Sequence, residues 1–231
     1  MRALWVGKVA LVAAVWLVAS GAGVQARGLA STPVGGAGLT VDFYGALDLG
    51  AQGVAESTIG GAGHIDGDVN LKVAKGSSIT YGSVFTGGRV LLLGGVRLAK
   101  GGDSVLISGM SVSMTSGVIT AKVGGQAGVR VGEINSLAAV GAVKRAGSTV
   151  ITLKLADDGI SLDGDFAAAV NDELGTSLST GTANGATLDI DVDLVRGHAP
   201  AADLLAVLGL DADLGLAELL ALDVNTVVDL S

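Results

Sequence analysis

Residues 89–133 decide the fold of this chain and read RVLLLGGVRLAKGGDSVLISGMSVSMTSGVITAKVGGQAGVRVGE. Glycines recur in this stretch every seven or eight residues, and runs of Val, Ile and Leu lie between them. Such a rhythm is typical of short strands joined by tight turns, because glycine readily adopts the left-handed backbone that two-residue turns require. A β-helix needs longer coils than one such interval, so the spacing favours an antiparallel meander or sandwich.

Alternating patterns extend the β prediction in both directions along the chain. Apolar and polar residues alternate in residues 39–44, 65–73, 149–155 and 187–196. A period of two indicates half-buried strands, with one face in the core and the other in solvent. We therefore predict a mainly β protein, an antiparallel β-sandwich or meander, with one short helix and a leucine-rich C-terminal tail.

Residues 163–175 break the alternation and read DGDFAAAVNDELG. The alanines favour a helix, Asp163 or Asp165 can cap its first turn, and Gly175 suits the left-handed position after its last turn. Four apolar residues share one helical face: Phe166, Ala169, Val170 and Leu174. The segment therefore predicts a short helix that packs against one side of the sheet.

The first 26 residues indicate an export signal. Arg2 and Lys8 flank its start, an apolar run follows from Val9 to Val18, and small residues lead up to Ala26. This run is shorter than the roughly 20 residues that a membrane-spanning helix needs. We predict cleavage after Ala26, with an uncleaved anchor as the alternative. The mature protein is then secreted or held at the bacterial cell envelope.

The mature chain divides into three predicted parts. A flexible, glycine-rich leader covers residues 27–38, a β-rich domain covers 39–196, and a leucine-rich acidic tail covers 197–231. From residue 200 onward the tail has ten leucines, six acidic residues and no Lys or Arg. Pro200 suits a helix start, and Val224–Leu230 suits a closing strand. Because so many leucines drive burial, we expect the tail to dock on its own domain, to self-associate or to bind a protein partner.

Composition excludes several classes of function. The chain has 14 basic and 22 acidic residues, a formal net charge of −8, and no cysteine. Scattered basic residues in an acidic chain argue against binding to nucleic acid or to an anionic membrane surface. The lack of cysteine excludes disulfides, thiol catalysis and Cys-ligated metals, and no serine has the Gly-x-Ser-x-Gly context of a hydrolase nucleophile. We therefore predict that the protein is not an enzyme and that it acts by binding or assembly.

Two groups of carboxylates are candidates for calcium, which prefers oxygen ligands. Asp189, Asp191 and Asp193 alternate with apolar residues, which puts three acids on one strand face about 7 Å apart. Asp66 and Asp68 begin a pattern like that of an EF-hand loop, but the later positions lack the required glycine and glutamate. The alternative is that both groups are solvated, with the three acids protecting an edge strand from aggregation.

Residues 81–194 resemble the HtaA-like domain of exported bacterial proteins. The resemblance rests on the order of a turn at Gly82–Phe85, strands such as Asp103–Ile107 and Gly117–Val123, and the segment Phe166–Thr176. It implies a β-rich fold. Several members of that family are surface haem-binding proteins, so the resemblance also implies binding of haem or another small ligand as an alternative function.

The resemblance also implies which residues would hold a haem. Iron accepts axial ligands from Tyr and His, so Tyr44 and Tyr81 are the candidate haem-binding residues, and His64 and His198 are the other possible ligands. The aromatic segment that opens the family's domains has no counterpart in the mature chain. This departure predicts weak or absent hemin binding.

Overall fold

The computed structural model describes residues 31–81, 85–137, 139–144, 148–155, 159–193 and 228–229. Two α-helices, α1 (Phe43–Ala46) and α2 (Gly164–Leu174), and a 3-10 turn at Leu49–Gln52 lie in these ranges. The strands are β1 (Thr32–Val41), β2 (Ala55–Ile59), β3 (Gly63–Ile65), β4 (Asp68–Leu71), β5 (Ser78–Tyr81), β6 (Phe85–Leu91), β7 (Gly95–Lys100), β8 (Asp103–Ser113), β9 (Val118–Val123), β10 (Gln126–Ile134), β11 (Ala139–Lys144), β12 (Val150–Leu155), β13 (Ile160–Leu162), β14 (Thr182–Ala183), β15 (Thr187–Asp193) and β16 (Val228–Asp229).

Strand β1 joins two antiparallel sheets. Its residues Thr32 and Pro33 pair with β5, whereas the part from Val34 to Thr40 pairs with β15. The longest path of paired strands is β14-β13-β10-β9-β8-β6-β5-β1-β15-β12-β11-β16, with β7 and β2 attached to β8 and with β4 and β3 attached to β1. We call the strands on the β5 side of β1 the first sheet and those on the β15 side, with β3 and β4, the second sheet. The predicted mainly antiparallel β fold is confirmed.

Strands β7 to β10 form the meander that the glycine spacing predicts. Gly101–Gly102 is a two-residue loop, because Lys100 pairs directly with Asp103. Gly124–Gly125 joins β9 to β10 in the same way. Gly109 instead lies inside β8, where its φ of +60° accompanies a shift in the pairing register. The regular glycines therefore mark both the turns between strands and the bulges within them.

The helix predicted at residues 163–175 is α2. Asp163 accepts a hydrogen bond from the backbone N of Asp165 at 3.0 Å, and Gly175 follows the last turn with a φ of +57°. The helix packs on β8, β9 and β10, and its buried residues are Phe166, Ala167, Val170 and Leu174. Ala169, predicted on this face, is only half-buried. The ring of Phe166 meets that of Phe43 in α1 at a centroid distance of 5.9 Å, so the two helices pack together.

Residues 32–38, which the sequence predicts as part of a flexible leader, form most of β1. Gly36 and Gly38 have φ values of +119° and +81°, and the register with β15 shifts between Gly35 and Gly38. An added Cβ at Gly38 would lie 2.0 Å from the carbonyl oxygen of Leu71. Glycine here permits a bulged strand to approach its neighbour closely rather than making the chain flexible.

The strand predicted over residues 39–44 ends earlier, at Val41. Asp42 caps α1 instead, because its Oδ1 accepts a hydrogen bond from the backbone N of Gly45 at 2.7 Å. Phe43 consequently begins a helix and is buried in the core. A local cap therefore overrides the alternating pattern at this point.

The alternation of residues 65–73 spans two strands rather than one. Asp66 and Gly67 have φ values of +53° and +102°, and Ile65 pairs with Asp68 across them. Two successive residues with positive φ form the two-residue turn that is typical of β-hairpins. The segment is therefore the β3–β4 hairpin.

Several predictions lie outside the described residues. They are the signal peptide over residues 1–26, His198 as a possible haem ligand, and the helix start at Pro200. The predicted tail is described only at β16, which pairs with β11. The closing strand predicted over Val224–Leu230 is present at those two residues, and the division between domain and tail stays a prediction.

Candidate functional site

Three carboxylates line one face of β15. Asp189, Asp191 and Asp193 are half-buried, whereas the apolar residues that alternate with them are fully buried: Leu188, Ile190 and Val192. One face of β15 is therefore part of the core and the other carries the acids, as the alternation predicts. Because β15 lies between β1 and β12, these acids do not protect an edge strand, and that part of the alternative is wrong.

The neighbouring strand β12 opposes part of this negative charge. Lys154 pairs with Asp189, and the hydroxyl of Thr152 donates a hydrogen bond to Oδ1 of Asp191. Burial raises the pKa of Asp189, attraction by Lys154 lowers it, and repulsion by Asp191 raises it, with a net upward shift. Asp193 lies opposite Val150 in this pairing. The lysine of β12 is thus at the Asp189 end of the acidic row.

A groove of about 450 Å³ opens at the other end of the row. Its lining residues are Pro33, Val34, Gly35, Val150, Asp191 and Asp193. Gly35 lies opposite Asp191 on β1 and has no side chain to fill the space above the sheet. We call this feature the acidic groove.

The described lining of the acidic groove suits binding of a positively charged group. Two carboxylates attract a positive charge, and the side chains of Pro33, Val34 and Val150 offer an apolar wall. Among the described residues that line the groove, none has a hydroxyl, thiol, imidazole or amine side chain. A ligand with a cationic end and an apolar stem matches both parts of this surface.

Calcium requires several oxygen ligands that converge on one point. Within the ranges that the structure describes, no group of three His, Asp or Glu side chains is arranged to hold a metal ion. Asp66 lies in the turn of the β3–β4 hairpin, and Asp68 begins β4. Calcium binding by these two residues, or by the three acids of β15, stays a prediction.

The two candidate haem tyrosines have different surroundings. Tyr44 in α1 is 50% exposed, and its hydroxyl lies 2.7 Å from the place of a Cβ added to Gly50. Tyr81, at the end of β5, is 2% exposed and belongs to the hydrophobic core. Tyr81 would therefore reach a haem iron only if the core opened. His64 lies on β3 and is exposed.

A second acidic cluster, which the sequence patterns do not indicate, lies where the two sheets meet. Glu56 of β2 has a side chain that is 8% exposed, and its Oε1 lies 3.8 Å from Nε2 of His64. Its Oε2 is buried without a hydrogen-bond partner. Burial raises the pKa of Glu56 to about 7, and repulsion by Asp42 and Asp68 acts in the same direction. Burial also raises the pKa of Asp68, with repulsion by Asp42 and Asp66 added.

The signal for this cluster in the sequence is weak. Glu56 alternates with the buried Val54 and the half-buried Thr58, so it shares their face of the strand. A glutamate at such a position is ambiguous, because a short edge strand tolerates a polar residue on either face. The contacts with His64 and the two aspartates depend on tertiary structure.

The similarities to known proteins are similarities of structure rather than of sequence. No family model and no curated protein matches the sequence. The structure is similar to the C-terminal domain of HtaA from Corynebacterium glutamicum, with 12% identity and a TM-score of 0.45 over 70% of this chain and 97% of that chain. It is also similar to the N-terminal domain of HtaA, with 14% identity and a TM-score of 0.39 over 72% of this chain and 98% of that chain. Both are domains of the kind that residues 81–194 resemble in sequence.

The described helices are short. None of them is long and apolar enough to cross a membrane.

Proposed function

We propose that this protein is an exported, non-catalytic binding protein that holds a basic segment of a partner protein in the acidic groove. The observation that carries the proposal is the lining of that groove, in which Asp191 and Asp193 lie beside apolar side chains. A Lys or Arg side chain has the matching chemistry, because an apolar stem ends in a positive charge.

The charge of the whole chain supports a basic partner. A formal net charge of −8 attracts positively charged surfaces over a distance comparable to the Debye length. The predicted export signal assigns the binding to the cell envelope or to the space outside the cell. The groove would then supply the short-range contacts that net charge alone lacks.

A lysine-rich peptide is the probe for this proposal. We expect the double variant Asp191→Asn and Asp193→Asn to bind the peptide at least about tenfold more weakly than the wild type, because charge-assisted contacts contribute about 1.5–3 kcal/mol each. The matched control is the double variant Asp103→Asn and Asp172→Asn, which changes net charge equally at two exposed positions. Titration calorimetry at two salt concentrations measures both. An equal loss of affinity in the two double variants would assign the binding to net charge and contradict binding in the acidic groove.

Calcium and haem are the alternative ligands, and the same proteins distinguish them. A rise in melting temperature in millimolar calcium relative to EDTA, lost in the groove variant, would assign the groove to a cation. A Soret band at stoichiometric hemin, lost in Tyr44→Ala or Tyr81→Ala, would favour the haem alternative. We expect neither response, because the described lining of the groove has two carboxylates, Tyr81 is buried, and the aromatic segment that opens the HtaA-like domains has no counterpart in the mature chain.

A further inference from the structure

The strands β2 and β3 are neighbouring edges of the two sheets. In the described part of the chain β2 pairs with β7 of the first sheet, and β3 pairs with β4 of the second sheet. Residues 60–62 connect the two strands, and no ladder of backbone hydrogen bonds between β2 and β3 is present among these residues. Side-chain contacts therefore decide how closely the two edges meet.

Glu56 faces the inside of this junction. It pairs with Leu98 of β7, whose side chain is fully buried, and directly opposed residues of paired strands point to the same face. The Glu56 side chain is 8% exposed, and its Oε2 has no hydrogen-bond partner. A carboxyl group in this position has little water to stabilise a negative charge.

The charged side chains around Glu56 come from three elements. β3 contributes His64, with Nε2 3.8 Å from Oε1 of Glu56. The cap of α1 contributes Asp42, and β4 contributes Asp68, whose charge is in turn felt by Asp66. The 3-10 turn at Leu49–Gln52 has no charged side chain.

The charges that act most on Glu56 are Asp42 and Asp68, and neither basic residue of the neighbouring strand β7, Arg97 or Lys100, is among them. Arg97 is exposed and donates a hydrogen bond to the hydroxyl of Ser104 at 3.1 Å. Arg97 pairs with Ser57 rather than with Glu56, so its side chain is on the outer face. Carboxylates therefore outnumber the single imidazole that faces Glu56.

We propose that Glu56 is a proton-dependent latch between the two sheets. The junction is closed while the Glu56 carboxyl is neutral, and residues 55–65 open locally, with loss of their pairing to β7 and β4, when the carboxyl loses its proton. Ionisation would place a third negative charge beside Asp42 and Asp68 in a space with little water. Because both strands are short edge strands and no ladder joins them to each other, local opening of this segment is the least costly way to hydrate the charge.

The direction of the pH effect follows from the raised pKa of Glu56. Its pKa is about 7 in the closed junction and near the ordinary value of 4.5 once water reaches it. The closed state therefore binds the proton more tightly, so its stabilisation is complete below about pH 4.5 and is lost as the pH rises through about 7. With these two values the equilibrium constant for opening rises about 25-fold between pH 5.5 and pH 8.

Hydrogen exchange of the full chain tests the latch, with EDTA in every buffer. After correction for the intrinsic effect of pH, we expect the opening constant of residues 55–65 to rise about 25-fold between pH 5.5 and pH 8, and that of residues 118–134 to stay constant. Glu56→Gln should abolish the rise, because the amide does not ionise. The matched control is Glu173→Gln on the exposed side of α2, which should keep it.

Two further variants keep the test decisive if Glu56→Gln fails to fold. Asp68→Asn removes one repelling charge, so the pKa of Glu56 in the closed junction should fall, and the rise in exchange should be smaller and level off at a lower pH. His64→Asn removes the facing imidazole and should leave a rise that Glu56 alone produces. Exchange of residues 55–65 that does not change with pH in the wild type, or that changes unaltered in Glu56→Gln, would overturn the proposal. A rise of equal size in residues 118–134 would indicate global unfolding and would also overturn it.

Discussion

Gly35 and Gly38 lie three residues apart in β1 and have different roles. Gly38 has a φ of +81°, and an added Cβ would lie 2.0 Å from the carbonyl oxygen of Leu71. Gly35 has no positive φ, and an added Cβ would have nothing within 4 Å. The requirement for glycine at Gly38 is therefore both conformational and steric, and at Gly35 it is neither.

We expect Gly38→Ala to lower the free energy of unfolding by at least about 2 kcal/mol, because strain in the left-handed region adds to the steric clash. The control Gly35→Ala should change it by no more than about 0.5 kcal/mol. Urea unfolding of the two variants and the wild type measures both values. Similar stabilities for the two variants would contradict the close packing of β1 against β4.

Single residues also show which parts of the candidate site can be predicted from the sequence. Asp191 and Asp193 were found because alternation in one strand settles which side chains share a face. Gly35 completes the groove only through the pairing of β1 with β15, which is far away in sequence. Glu56 was missed for the same reason, because its partners come from a helix cap and two other strands.

At the scale of the element, α2 is held in place by the loop that follows it. Oδ1 of Asn171 accepts hydrogen bonds from the backbone N of Leu178 and from the hydroxyl of Thr176, both at 2.7 Å. Its Nδ2 donates to the carbonyl oxygen of Leu178 at 2.9 Å. One side chain therefore satisfies both backbone groups of a buried residue.

We expect Asn171→Ala to lower the free energy of unfolding by about 1–3 kcal/mol, because the backbone groups of Leu178 would be left without partners. Asn184→Ala is the control, since Asn184 is exposed in the turn between β14 and β15; its effect should be within about 0.5 kcal/mol. Thermal unfolding followed by circular dichroism compares the two. Equal effects would show that the loop after α2 does not depend on Asn171.

The sequence predicts some elements better than others. Elements whose signals are local in sequence are predicted well, and elements that depend on pairing with distant strands are not. The helix α2 was predicted correctly because its cap at Asp163 and its stop at Gly175 are local. The β7–β10 meander was predicted for the same reason, since each turn has its own glycines. The start of β1 was mistaken for a leader, because its strand character depends on pairing with β5 and β15 and not on its own side chains.

At the scale of the whole molecule, β1 and β16 are the points where distant parts of the chain meet. β1 connects the two sheets through β5 and β15. β16 brings residues 228–229 of the predicted tail to β11. The contact with β11 favours docking of the tail on its own domain over docking on a partner.

A chain that ends before Pro200 tests this role of the tail. We expect the truncated chain to have a lower melting temperature than the full chain, because β11 loses its partner strand and the leucines of the tail lose any contact with the domain. Val228→Pro is the finer variant, since proline has no N–H for the pairing with β11, and it should produce a smaller decrease in the same direction. Light scattering measures the mass of each protein in solution. A truncated chain with an unchanged melting temperature but fewer copies per particle than the full chain would instead assign the tail to assembly between copies.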